Sequence, residues 1–155
     1  MTAQKRAYTD EEKQKREDKI IEAAQQLLTE KGYYDIHMSE VAKTAGLAKG
    51  TVYRYFKTKE ELFLSVFEGR IRTWVDEVTQ ALDVLDNPTL PDSLVDVLVN
   101  SLKDKPQLTQ MFAFKHALLE HNISYERAHD NILWMHGSLD EVGERIADKF
   151  GFSKA

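Results

Sequence analysis

Apolar residues recur at three- and four-residue intervals through most of this chain, and no stretch alternates strictly enough for a strand. Ile20, Ala24 and Leu27, with Ile21 and Leu28 beside them, predict a first helix. Thr9-Asp10-Glu11-Glu12 fits a capping box with Thr9 as N-cap, and Gly32 is a natural stop. Residues 38–45 predict a short second helix with Val41, Ala42 and Ala45 inward. Gly46 suits a left-handed turn position, and Leu47 would plug the core under that turn. Residues 49–55 predict a third helix. Thr58-Lys59-Glu60-Glu61 forms a second capping box and opens a long fourth helix. Its stripe is Phe63, Phe67, Ile71, Trp74, Val78 and Leu82, which follows the 3.6-residue period.

Asp86-Asn87-Pro88-Thr89-Leu90-Pro91 breaks the pattern and marks a linker. A fifth helix is predicted over 92–104, and Pro106 starts a sixth. Ser124 caps a seventh, with the stripe Tyr125, Ala128, Ile132, Met135, Leu139, Val142, Ile146 and Phe150, and Gly151 ends it. The fold class is therefore all-α. The 155 residues suffice for one good core or two small ones.

Composition narrows the function classes. There are no cysteines, which excludes disulfides and thiolate metal sites. No run of apolar residues is long enough for a membrane span, and residues 1–16 lack the apolar middle of a secretory signal. The expectation is a soluble, cytoplasmic protein without a membrane partner. The net charge of −5 argues against a general polyanion binder. Its distribution is uneven. Residues 1–61 carry twelve Lys and Arg against eleven Asp and Glu, and the remainder nine against fifteen, in agreement with totals of 21 and 26. The N-terminal part is the better candidate for an anionic partner.

The stretch GLAKGTVYRYF, from Gly46 to Phe56, carries the most chemistry. Two short helices around a Gly-containing turn describe a helix-turn-helix, whose second helix enters the DNA major groove. Val52 and Phe56, four apart, would pack inward. Lys49, Gly50, Thr51, Arg54 and Tyr55 remain for the outside. Gly50 would let the backbone approach DNA closely, and Thr51 offers a hydroxyl and a methyl to a base edge. Tyr53 and Tyr55 can donate their hydroxyls to phosphates. Lys49, Arg54 and Lys59 supply charge, which dominates affinity but carries little sequence information. Lys59 lies in the first turn of a helix, where a cation opposes the dipole unless an anion docks there. The spacing alone leaves open a plain helical protein whose charges mark a solvated face.

The run IIEAAQQLLTEKGYYDIHMSEVAKTAGLAKGTVYRYFKTKEELFLSVF, Ile20 to Phe67, resembles the N-terminal domain of TetR-family transcriptional regulators. Ala24, Gly32, Val41-Ala42, Ala45-Gly46, Gly50-Thr51-Val52-Tyr53, Phe56 and Lys59-Glu60-Glu61-Leu62 carry the resemblance. It implies an N-terminal three-helix helix-turn-helix domain, residues 1–61. A long fourth helix joins this to a helical ligand-binding and dimerisation domain, residues 62–155. It further implies that Lys49, Gly50 and Thr51 approach bases or nearby backbone, and that Tyr53, Tyr55 and Lys59 hold phosphates. Arg54 falls at a variable position and could read either. The sequence departs from the family pattern at two points. Ala48 replaces a capping Ser, a loss of about 1 kcal/mol. His37 replaces a phosphate-touching Thr, and imidazole can also donate to phosphate.

Relatives in this family run longer, with two further helices that build the dimer. Here the sequence ends at Ala155, just after the seventh helix. A truncated product, a different dimer and a short natural form all remain open. Uncovered apolar surface on helices 6 and 7 would then be an association site.

For the second domain, the resemblance implies a pocket for a mostly apolar small-molecule effector. Phe67, Trp74, Met111, Phe112, Phe114, Trp134 and Met135 are the candidate lining, with His116, His121 or Asn122 as polar fixtures. Residue by residue, plain core is the competing reading. The acidic surface favours a neutral or cationic effector. His129 and His136, seven apart, lack the spacing and third ligand of a metal site. No cofactor is expected. No nucleophile lies beside a base, and Gly46-x3-Gly50 is not a phosphate-binding loop. An enzyme is therefore not expected. The expected function is a homodimeric, ligand-responsive repressor on a near-palindromic operator in double-stranded DNA. Lys5, Arg6, Lys13, Lys15 and Arg16 would add contacts from an N-terminal arm. The competing reading is a helical protein-interaction module with a vestigial helix-turn-helix.

Overall fold

The computed structural model describes residues 3–85, 92–112 and 122–151, with side chains from residue 9 onward. The helices are α1 (Ala3–Glu30), α2 (Met38–Thr44), α3 (Lys49–Tyr55), α4 (Lys59–Asp83), α5 (Asp92–Lys103), α6 (residues 106–112) and α7 (Tyr125–Phe150). A short 3-10 turn, Tyr33–Asp35, separates α1 from α2. Among the described residues there is no strand. The predicted linker 86–91 and the candidates Phe114, His116 and His121 lie outside the described residues, as do the side chains of Lys5 and Arg6. The chain divides into two compact units, Met1–Val66 and Phe67–Ala155.

In the first unit, α1 buries Ile20, Ala23, Ala24 and Leu27 on one stripe. The helix begins at Ala3, so Thr9 lies inside it rather than capping it. The charged residues around it are ordinary helix formers and do not stop the helix. Gly32 does not end α1 in a left-handed conformation. Its φ is −66°, and it caps the 3-10 turn instead. α2 buries Met38, Val41 and Ala42. Its end is a Schellman turn, with Leu47 N–H donating to the Ala42 carbonyl at 2.9 Å and Gly46 N–H to the Lys43 carbonyl at 3.1 Å. Gly46 sits at φ +66°, as its position in the sequence predicts. Nothing lies within 4 Å of a Cβ placed there, so the penalty of a side chain is purely one of backbone conformation. Gly46→Ala is expected to cost about 1 kcal/mol, readable as a lower urea midpoint at unchanged slope.

At the start of α4 the second capping box is half realised. The Thr58 hydroxyl accepts from Glu61 N–H at 3.1 Å. The Glu61 carboxylate accepts from Lys57 N–H at 2.8 Å, one residue earlier than a capping box requires. The predicted stripe of α4 is buried throughout: Phe63, Phe67, Ile71, Trp74, Val78 and Leu82.

In the second unit, Trp74 Nε1–H donates to the Ser101 hydroxyl of α5 at 2.9 Å, and Phe67 meets Phe112 of α6 edge-on at 5.3 Å. Leu108 and Met111 complete the α6 contribution to the core. α7 starts as predicted, with the Ser124 hydroxyl accepting from Arg127 N–H, and ends at Gly151 with φ 69°. Its buried line differs from the predicted one. Asn131, Met135 and Val142 are buried, while Tyr125, Ile132 and Leu139 are exposed. The physical reason is a polar cluster. Glu68 of α4 accepts two hydrogen bonds from the Arg127 guanidinium, at 2.7 and 2.6 Å, and one from Asn131 Nδ2 at 2.8 Å. A bidentate charged pair fixes the rotation of α7 about its axis. It thereby draws Asn131 inward and leaves part of the apolar stripe outside.

Candidate nucleic-acid interface

The recognition-helix candidate α3 has seven residues, too few to be stable alone. It is held from below. Val52 is fully buried and Phe56 almost so, four residues apart on the inner face. The Ala48 position has no side-chain cap, so packing must hold the helix start. The outer face then presents Lys49, Gly50 and Arg54 as exposed residues, Tyr53 at 41% exposure, and Thr51 and Tyr55 half-buried. Nothing lies within 4 Å of a Cβ at Gly50, so this stretch of helix surface is open. Lys49 Nζ lies 5.7 Å from the Tyr53 ring centre, which draws the cation over the aromatic face.

The approach to α2 is equally ordered. His37 precedes α2 and is exposed. Its backbone N–H donates to the Glu40 carboxylate at 2.9 Å, and Lys31 Nζ donates to the same carboxylate at 2.5 Å. The Lys31 bond, then the His37 amide, hold the Glu40 carboxyl below its ordinary range.

Lys59, first residue of α4, does not extend freely into solvent. Its Nζ lies 4.2 Å from the Tyr33 ring centre and donates to the Tyr34 carbonyl at 3.4 Å. Tyr33 packs edge-on against Phe63 at 5.1 Å. Burial lowers the Lys59 pKa from its ordinary value, with Glu60, Asp35 and Glu40 opposing that shift. Burial also raises the Tyr33 phenol pKa, helped by Glu60 and Tyr34. The ammonium is thus desolvated by an aromatic face and set beside the turn that leads to His37. Tyr33 and Tyr34 were not among the sequence candidates. Their only signal was an aromatic pair directly after Gly32.

Arg54 and Tyr55 have a second environment. With Thr9, Glu12, Lys13, Arg16 and Glu17 of α1 they line a cleft of about 480 Å³. Lys13 and Arg16 therefore stand on a helix, not on an extended arm. Three cations against two acids leave this cleft net positive, as the partner of a phosphate backbone should be.

The effector candidates are dispersed. Phe67, Trp74 and Met111 are buried, and Phe112 is 42% exposed. Trp134 is half-buried and lies under Arg72, whose guanidinium carbon is 5.8 Å from its ring centre. A cleft of about 500 Å³ runs between α4 and α5, lined by Glu77, Ala81, Val84, Leu85, Ser93, Asp96, Val97, Asn100, Ser101 and Lys105. None of the candidate effector residues lines it. No group of three His, Asp or Glu among the described residues could hold a metal ion. No helix among them is long and apolar enough to cross a membrane.

Comparison with known proteins places this geometry in context. The domain family described as bacterial regulatory proteins of the tetR family matches residues 20–66. The family described as the tetracyclin repressor-like C-terminal domain matches residues 68–155. The chain is 35% identical over 79 residues to the fatty acid metabolism regulator protein of Bacillus subtilis, covering 51% of this chain and 40% of that protein. The chain thus spans well under two thirds of the curated relative it matches. Among solved structures, the fatty acid degradation regulator FadR of Bacillus halodurans is 27% identical, with a TM-score of 0.57 over 88% of this chain and 69% of that one. FadR of B. subtilis in complex with stearoyl-CoA shares the fold at 22% identity and a TM-score of 0.53, covering 88% of this chain and 73% of that one. These relatives are transcriptional regulators, not enzymes. With a helix-turn-helix match over the first unit and a repressor-type match over the second, this chain belongs to the TetR family of DNA-binding transcriptional regulators.

Proposed function

We propose that the chain works as a homodimeric, sequence-specific repressor that a small, mostly apolar ligand releases from a near-palindromic operator. The observation that carries this reading is the division of α3, with Val52 and Phe56 buried beneath an open face of Lys49, Gly50, Thr51, Tyr53 and Arg54. Lys49, Gly50 and Thr51 approach the base edges. His37, Tyr53, Tyr55 and Lys59 hold phosphates, which positions the helix without specifying sequence. Arg54 reads a base or takes a phosphate from the cleft it shares with α1.

Two such helices, about 34–36 Å apart, read two half-sites. The exposed apolar residues Ile132, Leu133 and Leu139 of α7 support self-association, since a row of this kind is an association surface. The names of the relatives support an acyl-type effector, with Phe67, Trp74, Met111, Phe112 and Trp134, and with Phe114 and His116, as its surroundings. A ligand that favours the wrong spacing of the two heads by about 2–3 kcal/mol releases the DNA.

Thr51→Ala tests the base-reading role. Its expected effect is a relaxed preference at one or two positions of each half-site, worth about 1–3 kcal/mol of discrimination. Binding-site selection on the variant measures this. Unchanged selectivity removes Thr51 from the base-reading set.

A further inference from the structure

We propose that Arg70 anchors the anionic headgroup of an amphiphilic effector whose apolar body lies against Phe67, Trp74, Met111 and Phe112. This deepens the effector reading above and rests on it.

Among the described residues, Arg70 has no ion pair. Its Nε is buried and has no hydrogen-bond partner. The other described guanidinium groups of this unit are engaged: Arg127 with Glu68, Arg145 with Asp83, and Arg72 over Trp134. Two carboxylates of α4 are also engaged. Glu68 takes three hydrogen bonds from Arg127 and Asn131, and Glu77 pairs with Lys105. Burial lowers the Arg70 pKa from its ordinary value, which marks a charge that has lost water without gaining a partner.

The placement of Arg70 gives the rest. It is three residues after Phe67 and four before Trp74, so all three share one side of α4. Phe67 carries Phe112 on its ring edge, and Met111 is fully buried beside it in sequence. A half-buried guanidinium whose Nε has no partner is stabilised once an anion is delivered to it. Its planar fork matches a carboxylate or a phosphate. The acidic surface, which favours neutral or cationic ligands at long range, is screened over about 8–10 Å, whereas a buried pair is not. The ligand class is therefore an apolar chain with an acidic head.

The test is equilibrium binding of dodecanoate, dodecanoyl-CoA and methyl dodecanoate to the full chain, read by tryptophan fluorescence and calorimetry. The expected result is that at least one anionic probe binds about tenfold or more tightly than the methyl ester. Arg70→Met should abolish that preference and leave methyl ester binding within about twofold. Preference for dodecanoate alone assigns the carboxylate as the head, and preference for dodecanoyl-CoA alone assigns the phosphates. Without ligand, Arg70→Met should melt at or above the temperature of the parent chain, because it removes an unpaired charge. Arg70→Lys, which keeps the charge but not the fork, should retain only part of the preference. Equal binding of all three probes overturns the proposal. So does an anionic preference that survives in Arg70→Met, or a clear fall in its melting temperature without ligand. DNA binding of the same preparations is measured in parallel. Failure of the parent chain to bind any DNA overturns the repressor reading, while the headgroup preference is read independently of it.

Discussion

Glu68→Ala is expected to destabilise the second unit by about 3 kcal/mol, the largest single-residue effect outside the apolar core. Glu68 joins α4 to α7 through three hydrogen bonds, two from Arg127 and one from Asn131. Removing it takes two hydrogen bonds from the Arg127 guanidinium and one from a fully buried amide whose Oδ1 already has no partner. The side chains of Glu68 and Arg127 retain 19% and 27% of their exposure, so water repairs part of the loss and the figure stays at the lower end for a broken buried pair. Urea unfolding followed through Trp74 and Trp134 measures it. The double variant Glu68→Met with Arg127→Met should cost less than the sum of the two single changes, because the two side chains share two hydrogen bonds. A loss below about 0.5 kcal/mol in Glu68→Ala, the level of an ordinary surface change, would show that the cluster does not set the α4–α7 packing.

The second large effect concerns DNA. Lys59→Ala should weaken operator binding by about tenfold near 0.15 M salt and lower the log–log salt slope by about one unit for each half-site. Base preference should not change, since the proposed contact is to phosphate. Lys59 also sits over Tyr33 and bonds to the Tyr34 carbonyl, so the variant loses a local stabilisation of about 0.5–1 kcal/mol. The melting temperature separates the two effects. A small thermal shift with a large loss of salt-dependent affinity is the signature of a phosphate contact. An altered base preference would contradict that role.

Local features were legible in the sequence wherever local chemistry decides the backbone. α2, the left-handed Gly46, α3, the α4 stripe, the Ser124 cap and Gly151 all follow from spacing, caps and the conformational freedom of glycine. Two local readings failed because a sequence signal had a competitor. Thr9 fits a capping box, but the residues before it are helix formers and α1 continues to Ala3. Gly32 can adopt a left-handed conformation, but the 3-10 turn places it at φ −66°.

The α7 stripe failed for a different reason. A count of apolar residues cannot see that Asn131 has an acceptor 63 positions earlier, or that the Glu68–Arg127 pair fixes the helix rotation. The setting of Lys59 was hidden in the same way, because its partners Tyr33 and Tyr34 lie 25 or more residues away in sequence. The unpaired state of Arg70 is likewise invisible in one dimension. It depends on which groups reach its Nε in the folded chain.

Selection of binding sites from random duplex DNA with this purified chain, at a stated salt near about 0.15 M, tests the central claim most directly. Enrichment of a palindrome with two similar half-sites, about one helical turn apart, is the expected result. A folded chain that enriches no sequence at all would contradict a DNA-reading role for α3.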